Sequence, residues 1–421
     1  MPSPLLSRWL RPRPVYYATL VIGLVVLLVL GRDQWFFGDD WVSLAPRQDP
    51  NIMVPQGGHW KLATALAFQL LRNWIGLGSY LPFLLLALLA HLAVAHLVWR
   101  ILNRVGVAPW IATGLGLVVV FLGGGAENIF WAFQFGFMGA VALGLLVALL
   151  LDRQRLNIPL IVVAAIIAPT FSGTAIPVLA AAAIVGWIRH GFLKTLLLLA
   201  PAGVIYIWWY LSYALNRPGT QEGIHSLPDV AFALLYAAAM LGGGLGRALP
   251  WIGLGVIPAV FVVVWFVRGV RKGIRSPAML AFALTIGAAV FAVLTSTSRI
   301  SFGLTSAATP RYAYVVIVLL LPAFGLMLTS LAVAGPRRRV IAGLVVVGVL
   351  VTNIVLLALD ASTQARREQG SRARVLDSLD AVISDPTNDT LLESPADPQW
   401  APDLLGSDLL VLYRDGQLTP R

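Results

Sequence analysis

Two adjacent carboxylates, Asp39 and Asp40, lie in the stretch FGDDW, directly after an apolar run of about the length that crosses a bilayer. A carboxylate within hydrogen-bond reach of an acceptor hydroxyl can act as a general base. Because adjacent side chains point in different directions, we expect two tasks: one residue takes the proton, and the other orients it, binds a metal or caps the next helix. The alternative is that GDD forms a turn or a helix cap without a catalytic role.

A third carboxylate, Glu127, follows the glycines 123–125 in the stretch GGGAENIFW. Consecutive glycines permit a tight turn or a close backbone approach. Glu127 and its neighbour Asn128 offer hydrogen-bonding groups, and we expect both to bind substrate. Carboxylates also suit hard cations, so Asp40 and Glu127 could hold a divalent ion, Mg²⁺ or Mn²⁺.

Arginines flank the stretch SRISFGLTSAATPRY, which separates two apolar runs. Arg299 and Arg311 carry guanidinium groups that match phosphate bidentately, and Tyr312 adds a hydroxyl donor. His59 and Lys61, in the loop after the paired acids, complete the predicted substrate-binding set. Membrane anchoring is the alternative role for the arginines, and simple solvation is the alternative for the histidine.

The composition indicates which class of protein carries these groups. The chain has 421 residues, of which 58% are hydrophobic and 12% charged, whereas a soluble domain is nearer half apolar and a quarter charged. Repeated apolar runs of ~20 residues predict an all-α integral membrane protein that contacts the lipid bilayer and no nucleic acid. The absence of cysteine excludes disulfides, thiolate nucleophiles and zinc–thiolate sites.

Eleven transmembrane helices are predicted, over residues 15–31, 79–101, 108–123, 131–151, 157–171, 173–189, 194–215, 250–268, 278–298, 312–334 and 340–360. The fifth and sixth flank APTFSGTAIP, which would interrupt a helix. Segment 229–246 is apolar but glycine-rich, and we expect a partial, re-entrant or surface-lying helix, since a full crossing would invert everything after it. HWKLATALAFQLLRNW, within the loop 32–78, predicts a helix that lies in the interface or packs on other loops.

The distribution of charge predicts the orientation. Only one acidic residue, Asp152, falls in the loops at the predicted inner end, and cytoplasmic loops carry the excess of Lys and Arg. The basic residues of those loops are Arg8, Arg11, Arg13, Arg100, Arg104, Arg153, Arg155, Arg189, Lys194, Arg268, Arg271, Lys272, Arg275, Arg337, Arg338 and Arg339. We therefore expect a multi-pass cell-membrane protein with a retained first helix, a cytoplasmic N-terminus and an extracytoplasmic C-terminus. The predicted site then faces away from the cytoplasm.

Two regions are expected: a transmembrane domain over residues 1–360 and a small extracytoplasmic tail over 361–421. The tail begins polar and helical, turns loop-like and ends in DLLVLYRDG, which predicts a short strand. A segment of this size is too small for a robust independent domain. We expect it to pack on the outer loops.

The order and sidedness of FFGDDW, AENIFW and SRISFG…TPRYAY resemble the GT-C superfamily of polytopic glycosyltransferases and uncharacterised bacterial membrane proteins grouped with it. The resemblance covers about the first 150 residues and the arginine–tyrosine segment, and the chain lacks the large soluble C-terminal domain of many members. It implies a GT-C-like fold and a sugar donor linked to polyprenyl phosphate. The acceptor would be an envelope glycan, lipid or protein, with inversion at the anomeric carbon.

The resemblance also implies roles. One of the two adjacent aspartates, Asp39 or Asp40, would be the base. Arg311, with Arg299 or Lys61, would stabilise the leaving phosphate. The glutamate of AENIFW would orient the acceptor or hold a divalent cation.

Two other functions remain open. Broken helices around SGTAIP and GGGLG also suit a lipid or solute transporter or flippase, although the spans hold almost no charge and the inner loops few acids. An O-antigen ligase or polymerase-like enzyme would also use lipid-linked sugars, but with essential arginines in a large late loop. The late loop here is short.

Overall fold

A computed structural model describes residues 11–46, 51–55, 59–215, 226–248, 256–272 and 278–420. These residues are mostly helical. The helices are α1 Pro12–Leu30, α2 Asp40–Leu44, α3 Leu62–Ile75, α4 Leu81–Arg104, α5 Pro109–Val120, α6 Ala126–Phe130, α7 Phe135–Leu151, α8 Ile158–Phe171, α9 Ala175–His190, α10 Phe192–Trp209, α11 Leu227–Ala248, α12 Val256–Lys272, α13 Met279–Thr297, α14 Pro310–Val333, α15 Pro336–Ser384, α16 Asp389–Glu393 and α17 Gly406–Arg414. Short 3-10 turns lie at Gly123–Gly125, Ala132–Gln134, Ile300–Phe302 and Leu304–Ala308, and strands β1 Pro395–Asp397 and β2 Ala401–Leu405 form an antiparallel pair.

Within the described residues, nine segments are long and apolar enough to cross a membrane. Eight of them overlap predicted spans, which confirms the expected all-α membrane protein. The ninth, Leu227–Arg247, belongs to α11, an unbroken 22-residue helix in the segment expected to be partial. The predicted number of eleven crossings stays a prediction.

The remaining predicted spans differ in length or coverage. Helices α8 and α9 have 14 and 16 residues, so they extend only ~21 and ~24 Å, less than the ~30 Å of a hydrocarbon core. The expected interruption between them is present, as a turn at 172–174 where the Ser172 and Thr174 hydroxyls hydrogen-bond at 3.0 Å. The predicted span 250–268 overlaps α12, and its residues 250–255 lie outside the described ranges.

The loops meet at the two ends of the helical bundle. At one end, residues 31–39, 123–134 and 298–311 come together, and we call it the site end. At the opposite end, the buried carboxylate of Asp152 joins three helices, because Arg104 Nε lies 2.5 Å from Oδ2 and Arg189 Nη2 lies 2.8 Å from Oδ1. Between the two ends, His91 bonds α4 to its neighbours through the Tyr314 hydroxyl at 2.9 Å and the Val120 carbonyl at 3.1 Å.

Helix α15 runs without interruption for 49 residues. It rises from the opposite end, passes the site end and continues into the tail, so the predicted boundary at 360 falls inside a helix. The tail packs on the segment after α1, as expected: Gln34 Nε2 donates to Ala361 O at 3.0 Å, and Trp35 N donates to Glu368 Oε2 at 2.8 Å.

The predicted strand at DLLVLYRDG is wrong, because these residues form α17. Asp408 accepts a hydrogen bond from Leu405 N at 3.0 Å at the start of the helix, and Leu409 and Leu412, three positions apart, are buried on one face. A short apolar run cannot distinguish a buried helix from a strand.

Candidate functional site

Asp40 is fully buried, and protein donors surround its carboxylate. Oδ2 accepts from Phe37 N at 3.0 Å and from the Tyr80 hydroxyl at 3.3 Å, and Oδ1 accepts from Phe133 N at 3.1 Å. Burial raises the pKa of this carboxyl well above its usual value, although the two backbone N–H groups oppose the shift. The side chain therefore joins the loop after α1 to the turn before α7. This burial does not fit the predicted roles as base and metal ligand.

Asp39 is turned outward by the backbone before it. Gly38 has φ +53°, a conformation that favours glycine, and a Cβ there would lie 3.1 Å from the ring of Trp131. Gly38 N donates to Trp400 O at 2.7 Å, and Trp131 Nε1 donates to Phe37 O at 3.1 Å, which fixes this segment on both sides. The Asp39 side chain is 47% exposed. It can therefore meet a ligand, as a base must.

Lys61 lies beside Asp39 and is almost enclosed. Its Nζ is 4.0 Å from Asp39 Oδ2 and 3.8 Å from the centroid of the Phe133 ring. Burial lowers the pKa of Lys61 to about 8; the charge of Asp39 opposes that shift, whereas Arg311 and Arg299 add to it. The structure thus brings together four of the predicted residues: one acid and three cations.

His59 joins the same group as a neutral side chain. Burial and the nearby charges of Lys61 and Arg299 lower the pKa of His59 to about 3. The loop that carries it is held by Trp60, whose ring stacks on Trp209 at 5.2 Å. His59 can therefore donate or accept a hydrogen bond from a ligand but adds no charge at neutral pH.

Glu127 lies beside Arg311. Its Oε1 is 3.9 Å from Arg311 Nε, a contact too long for a hydrogen bond. Neighbouring Asn128 is fully buried, and neither polar atom of its side chain has a hydrogen-bond partner among the described residues. The ring of Tyr312 is mostly buried, with the Arg311 guanidinium carbon 5.5 Å from its centroid, and its predicted role as a hydroxyl donor stays a prediction.

The glycine turn Gly123–Gly125 precedes Glu127 and positions it by packing closely against three helices. A Cβ at the first glycine would overlap Asn353 O of α15, one at the second would lie 3.0 Å from Arg247 O of α11, and one at the third would lie 2.6 Å from the Tyr314 ring of α14. Gly124 N also donates to Asn353 Oδ1 at 3.2 Å. Each glycine allows a different helix to approach the turn closely, which explains why three glycines are needed in succession.

Helix α11 contacts the segment 300–310, which connects Arg299 to Arg311. The Tyr236 hydroxyl lies 2.9 Å from Ser306 Oγ. Eleven residues further along α11, Arg247 Nε donates to Ala308 O. Arg299 in turn lies 5.2 Å from the centroid of the Phe302 ring. The segment that presents the two arginines is thereby held at two points.

The charges of the site favour an anionic ligand. The site contains three cations, Lys61, Arg299 and Arg311, and two accessible carboxylates, Asp39 and Glu127. Their two closest contacts, 4.0 and 3.9 Å, are long for ion pairs, and phosphate would give the guanidinium groups better geometry. Among the residues that the structure describes, no group of three or more His, Cys, Asp or Glu side chains could hold a metal, so a divalent ion at Glu127 stays a prediction.

Sequence reasoning missed two residues that organise the site. The Tyr80 hydroxyl donates to Asp40 and accepts from Ala132 N at 2.7 Å. Glu368 is fully buried in the tail part of α15, and burial raises its pKa to about 8. A signal for Glu368 was present, because it shares a seven-residue spacing with three apolar residues that are also buried, namely Ala361, Val375 and Val382.

Comparison of this chain with protein-family models, with curated proteins and with solved structures finds no match.

Proposed function

We propose that this protein is a GT-C-type membrane glycosyltransferase, which moves a sugar from a polyprenyl-phosphate donor to an envelope acceptor. The observation that carries the proposal is the meeting of one exposed carboxylate, Asp39, with the cations Lys61, Arg299 and Arg311 at one end of an apolar helical bundle. A base beside a phosphate-binding group is what transfer from a sugar phosphate requires.

The surroundings of Lys61 suit a lipid-linked phosphate. Helix α3 begins directly after it and turns Leu66, Leu70 and Trp74 outward, at four-residue spacing, with Trp74 79% exposed. Phe68 on the other face is buried against the bundle. An outward apolar face fits a helix that lies in the membrane interface, one of the two predicted placements. A phosphate at headgroup depth would then lie at the level of the cations.

The reaction follows from the charges. The acceptor hydroxyl gives its proton to the Asp39 carboxylate while its oxygen bonds to the anomeric carbon of the sugar. The bond from that carbon to the phosphate oxygen breaks, and the electron pair stays on the phosphate. Asp39 loses one negative charge as the phosphate gains one, so the total charge among Lys61, Arg299 and Arg311 is unchanged. These fixed cations stabilise the charge where it develops.

Glu127 supports the arginine that would bind the leaving phosphate. Its Oε1, 3.9 Å from Arg311 Nε, places a negative charge beside the guanidinium without a hydrogen bond and so leaves the guanidinium donors for the ligand. Buried Asn128, with both polar atoms lacking protein partners, would hydrogen-bond a sugar hydroxyl or water beside it.

The proposal includes the eleven-span topology. Tyr236 and Arg247, far apart on α11, both contact the segment 306–308 at the site end, which supports a helix that stays at that end instead of crossing. Eleven alternating helices then remain. The arginines Arg104 and Arg189 at the opposite end support a cytoplasmic N-terminus and an extracytoplasmic site and tail.

The test is complementation of a deletion strain, with extracted lipid-linked sugars quantified by mass spectrometry. We expect the deletion to accumulate a polyprenyl-phosphate sugar, and Asp39→Asn to accumulate as much. Asp33→Asn is the matched control, since Asp33 lies in the same loop but is exposed and pairs with its neighbour Arg32; it should restore the wild-type level. Full restoration by Asp39→Asn, in a protein that inserts normally, refutes the proposal.

A further inference from the structure

The turn 172–174, which separates α8 from α9, lies at the depth of the bilayer. The two helices extend ~21 and ~24 Å, less than the ~30 Å of a hydrocarbon core, and α9 returns to the opposite end, where Arg189 pairs with Asp152 at 2.8 Å. Non-helical backbone at this depth is tolerated only where it is buried in protein or lines a wet cavity. The transfer reaction described above gives this turn no role.

Two oxygens without partners lie beside the turn, on Thr64 and Phe171. A Cβ at Gly136 would lie 2.8 Å from Thr64 Oγ1 and 2.9 Å from Phe171 O, so both oxygens approach the same point on α7. The Thr64 hydroxyl is fully buried and has no hydrogen-bond partner among the described residues. Phe171 ends α8, so its carbonyl has no donor within that helix, and no other described backbone group donates to it. Because buried oxygens are normally paired, a ligand or water should donate here.

His59 and Tyr206 approach the same turn at Gly173. A Cβ at this glycine would lie 3.4 Å from His59 Nδ1 and 3.9 Å from the Tyr206 hydroxyl. A neutral imidazole and a phenol can each donate or accept a hydrogen bond. Ser172 has an extended backbone, with φ −171° and ψ 152°, and joins Phe171 directly to Gly173. Four polar groups therefore lie around three consecutive residues of the turn.

These polar groups adjoin the cations of the site. Thr64 follows Lys61 by three residues, and both side chains contact the start of α7: Lys61 Nζ lies 3.8 Å from the centroid of the Phe133 ring, and Thr64 faces Gly136, three residues later. His59 lies close enough to Lys61 for the ammonium charge to lower the pKa of the imidazole. A ligand whose anionic group binds the cations can therefore extend its neutral part towards the turn.

We propose that the Thr64 hydroxyl, the Phe171 carbonyl, His59 and Tyr206 form a subsite for the hydroxyl groups of the donor sugar, in the space that Gly173 leaves open. The inference rests on the proposed function, since it places the sugar next to the phosphate bound by the three cations. Sugar hydroxyls both donate and accept, which matches a carbonyl, two hydroxyls and a neutral imidazole. A second phosphate or carboxylate, which only accepts, would leave the carbonyl unpaired.

The experiment measures equilibrium binding to the purified full chain in detergent, without an acceptor, so no turnover is needed. The probes are decaprenyl phosphate and the decaprenyl phosphates that carry glucose, mannose or arabinose. We expect the bare lipid phosphate to bind and at least one sugar-bearing lipid to bind about tenfold more tightly or better, since each hydrogen bond contributes roughly two- to tenfold. We call this ratio of affinities the sugar gain.

Thr64→Val and Gly173→Ala test the subsite. The first removes a hydroxyl at nearly constant volume and should lower the sugar gain roughly two- to tenfold; the second places a methyl group in the open space at an ordinary contact distance from His59 and should lower it at least as far. Thr64→Ser keeps the hydroxyl and should keep the sugar gain. The matched controls are Thr113→Val, at a buried threonine of the opposite end, and Gly203→Ala, at a glycine with open space around it; neither should change the sugar gain.

Binding of the bare lipid separates this proposal from the transferase proposal. If decaprenyl phosphate binds but no sugar adds affinity, or if the sugar gain survives in both Thr64→Val and Gly173→Ala, the subsite is wrong while the phosphate site stands. If Thr64→Val weakens the bare and the sugar-bearing lipids equally, Thr64 is structural and the subsite is again wrong. If the wild type binds none of these lipids, the proposed function fails and the subsite fails with it.

Discussion

The different roles of the two adjacent aspartates, Asp39 as a base and Asp40 as a positioning residue, can be tested by measuring how variants change the free energy of unfolding. Asp40→Ala removes the acceptor of the Phe37 and Phe133 N–H groups and of the Tyr80 hydroxyl. A buried donor left without a partner costs about 1–3 kcal/mol. The two backbone groups, which cannot turn away, therefore give a loss of about 2–6 kcal/mol in the free energy of unfolding.

Asp39→Asn should behave in the opposite way. Its side chain is about half exposed, and its ion-pair contact among the described residues is Lys61 at 4.0 Å. Such pairs contribute about 0–1 kcal/mol. We expect this variant to fold with nearly wild-type stability and to fail in complementation, while Asp40→Ala loses stability first and activity only as a consequence.

The measurement is the fraction of detergent-solubilised protein that stays monodisperse after heating, followed by size-exclusion chromatography. Asp40→Ala should lower the apparent melting temperature by about 5 °C or more, and Asp39→Asn by about 2 °C or less. If Asp40→Ala melts with the wild type, its donors are satisfied by water and the assignment of Asp40 as a positioning residue is wrong. If Asp39→Asn melts as low as Asp40→Ala, Asp39 is structural too.

Three further outcomes are expected. The ammonium of Lys61 is present below a pKa of about 8 and lost as the pH rises through it; transfer in isolated membranes should fall above pH 8, and Lys61→Arg should move this fall to higher pH. Gly123→Ala should lower the melting temperature, because its Cβ would overlap Asn353 O, whereas Gly348→Ala, with open space around it, should not. The pKa of Glu368 is about 8 in the folded protein, instead of 4.5, so the folded state binds a proton there more tightly than the unfolded chain. Stability therefore falls as the pH rises from 4.5 through 8. Glu368→Gln should flatten this pH dependence of stability and melt at a higher temperature than the wild type at pH 9.

The long helices were predictable because an apolar run long enough to span a bilayer has few alternatives to a helix. In a bilayer, each backbone group must be satisfied within its own segment, so length and hydropathy locate the spans. The break between α8 and α9 was predictable because the proline, serine, glycine and threonine residues around Ser172 and Thr174 interrupt a helix. Two helices departed from prediction: α17 forms where a strand was expected, and α11, Leu227–Ala248, is helical throughout, while its placement depends on contacts instead of composition.

The sequence indicated the charged residues that lie together at the site end, but neither the buried residues that position them nor the difference between the two aspartates. Spacing indicated that Asp39 and Asp40 would differ, yet which one is buried depends on Tyr80 and Phe133, 40 and 93 positions away from Asp40. Trp35 likewise bonds to a residue 333 positions away. No local pattern contains such pairs, because they arise only when the helices assemble.

The unbroken course of α15 has a consequence for the length of the chain between the bundle and the tail. Each residue of a helix adds 1.5 Å and rotates the rest of the helix by about 100°. One residue inserted at the membrane exit would rotate Glu368 away from Trp35 and carry the β1–β2 hairpin away from Gly38. Seven residues would almost restore the angle but raise the tail by ~10 Å. The number of residues in this linker therefore sets both the height and the angle of the tail.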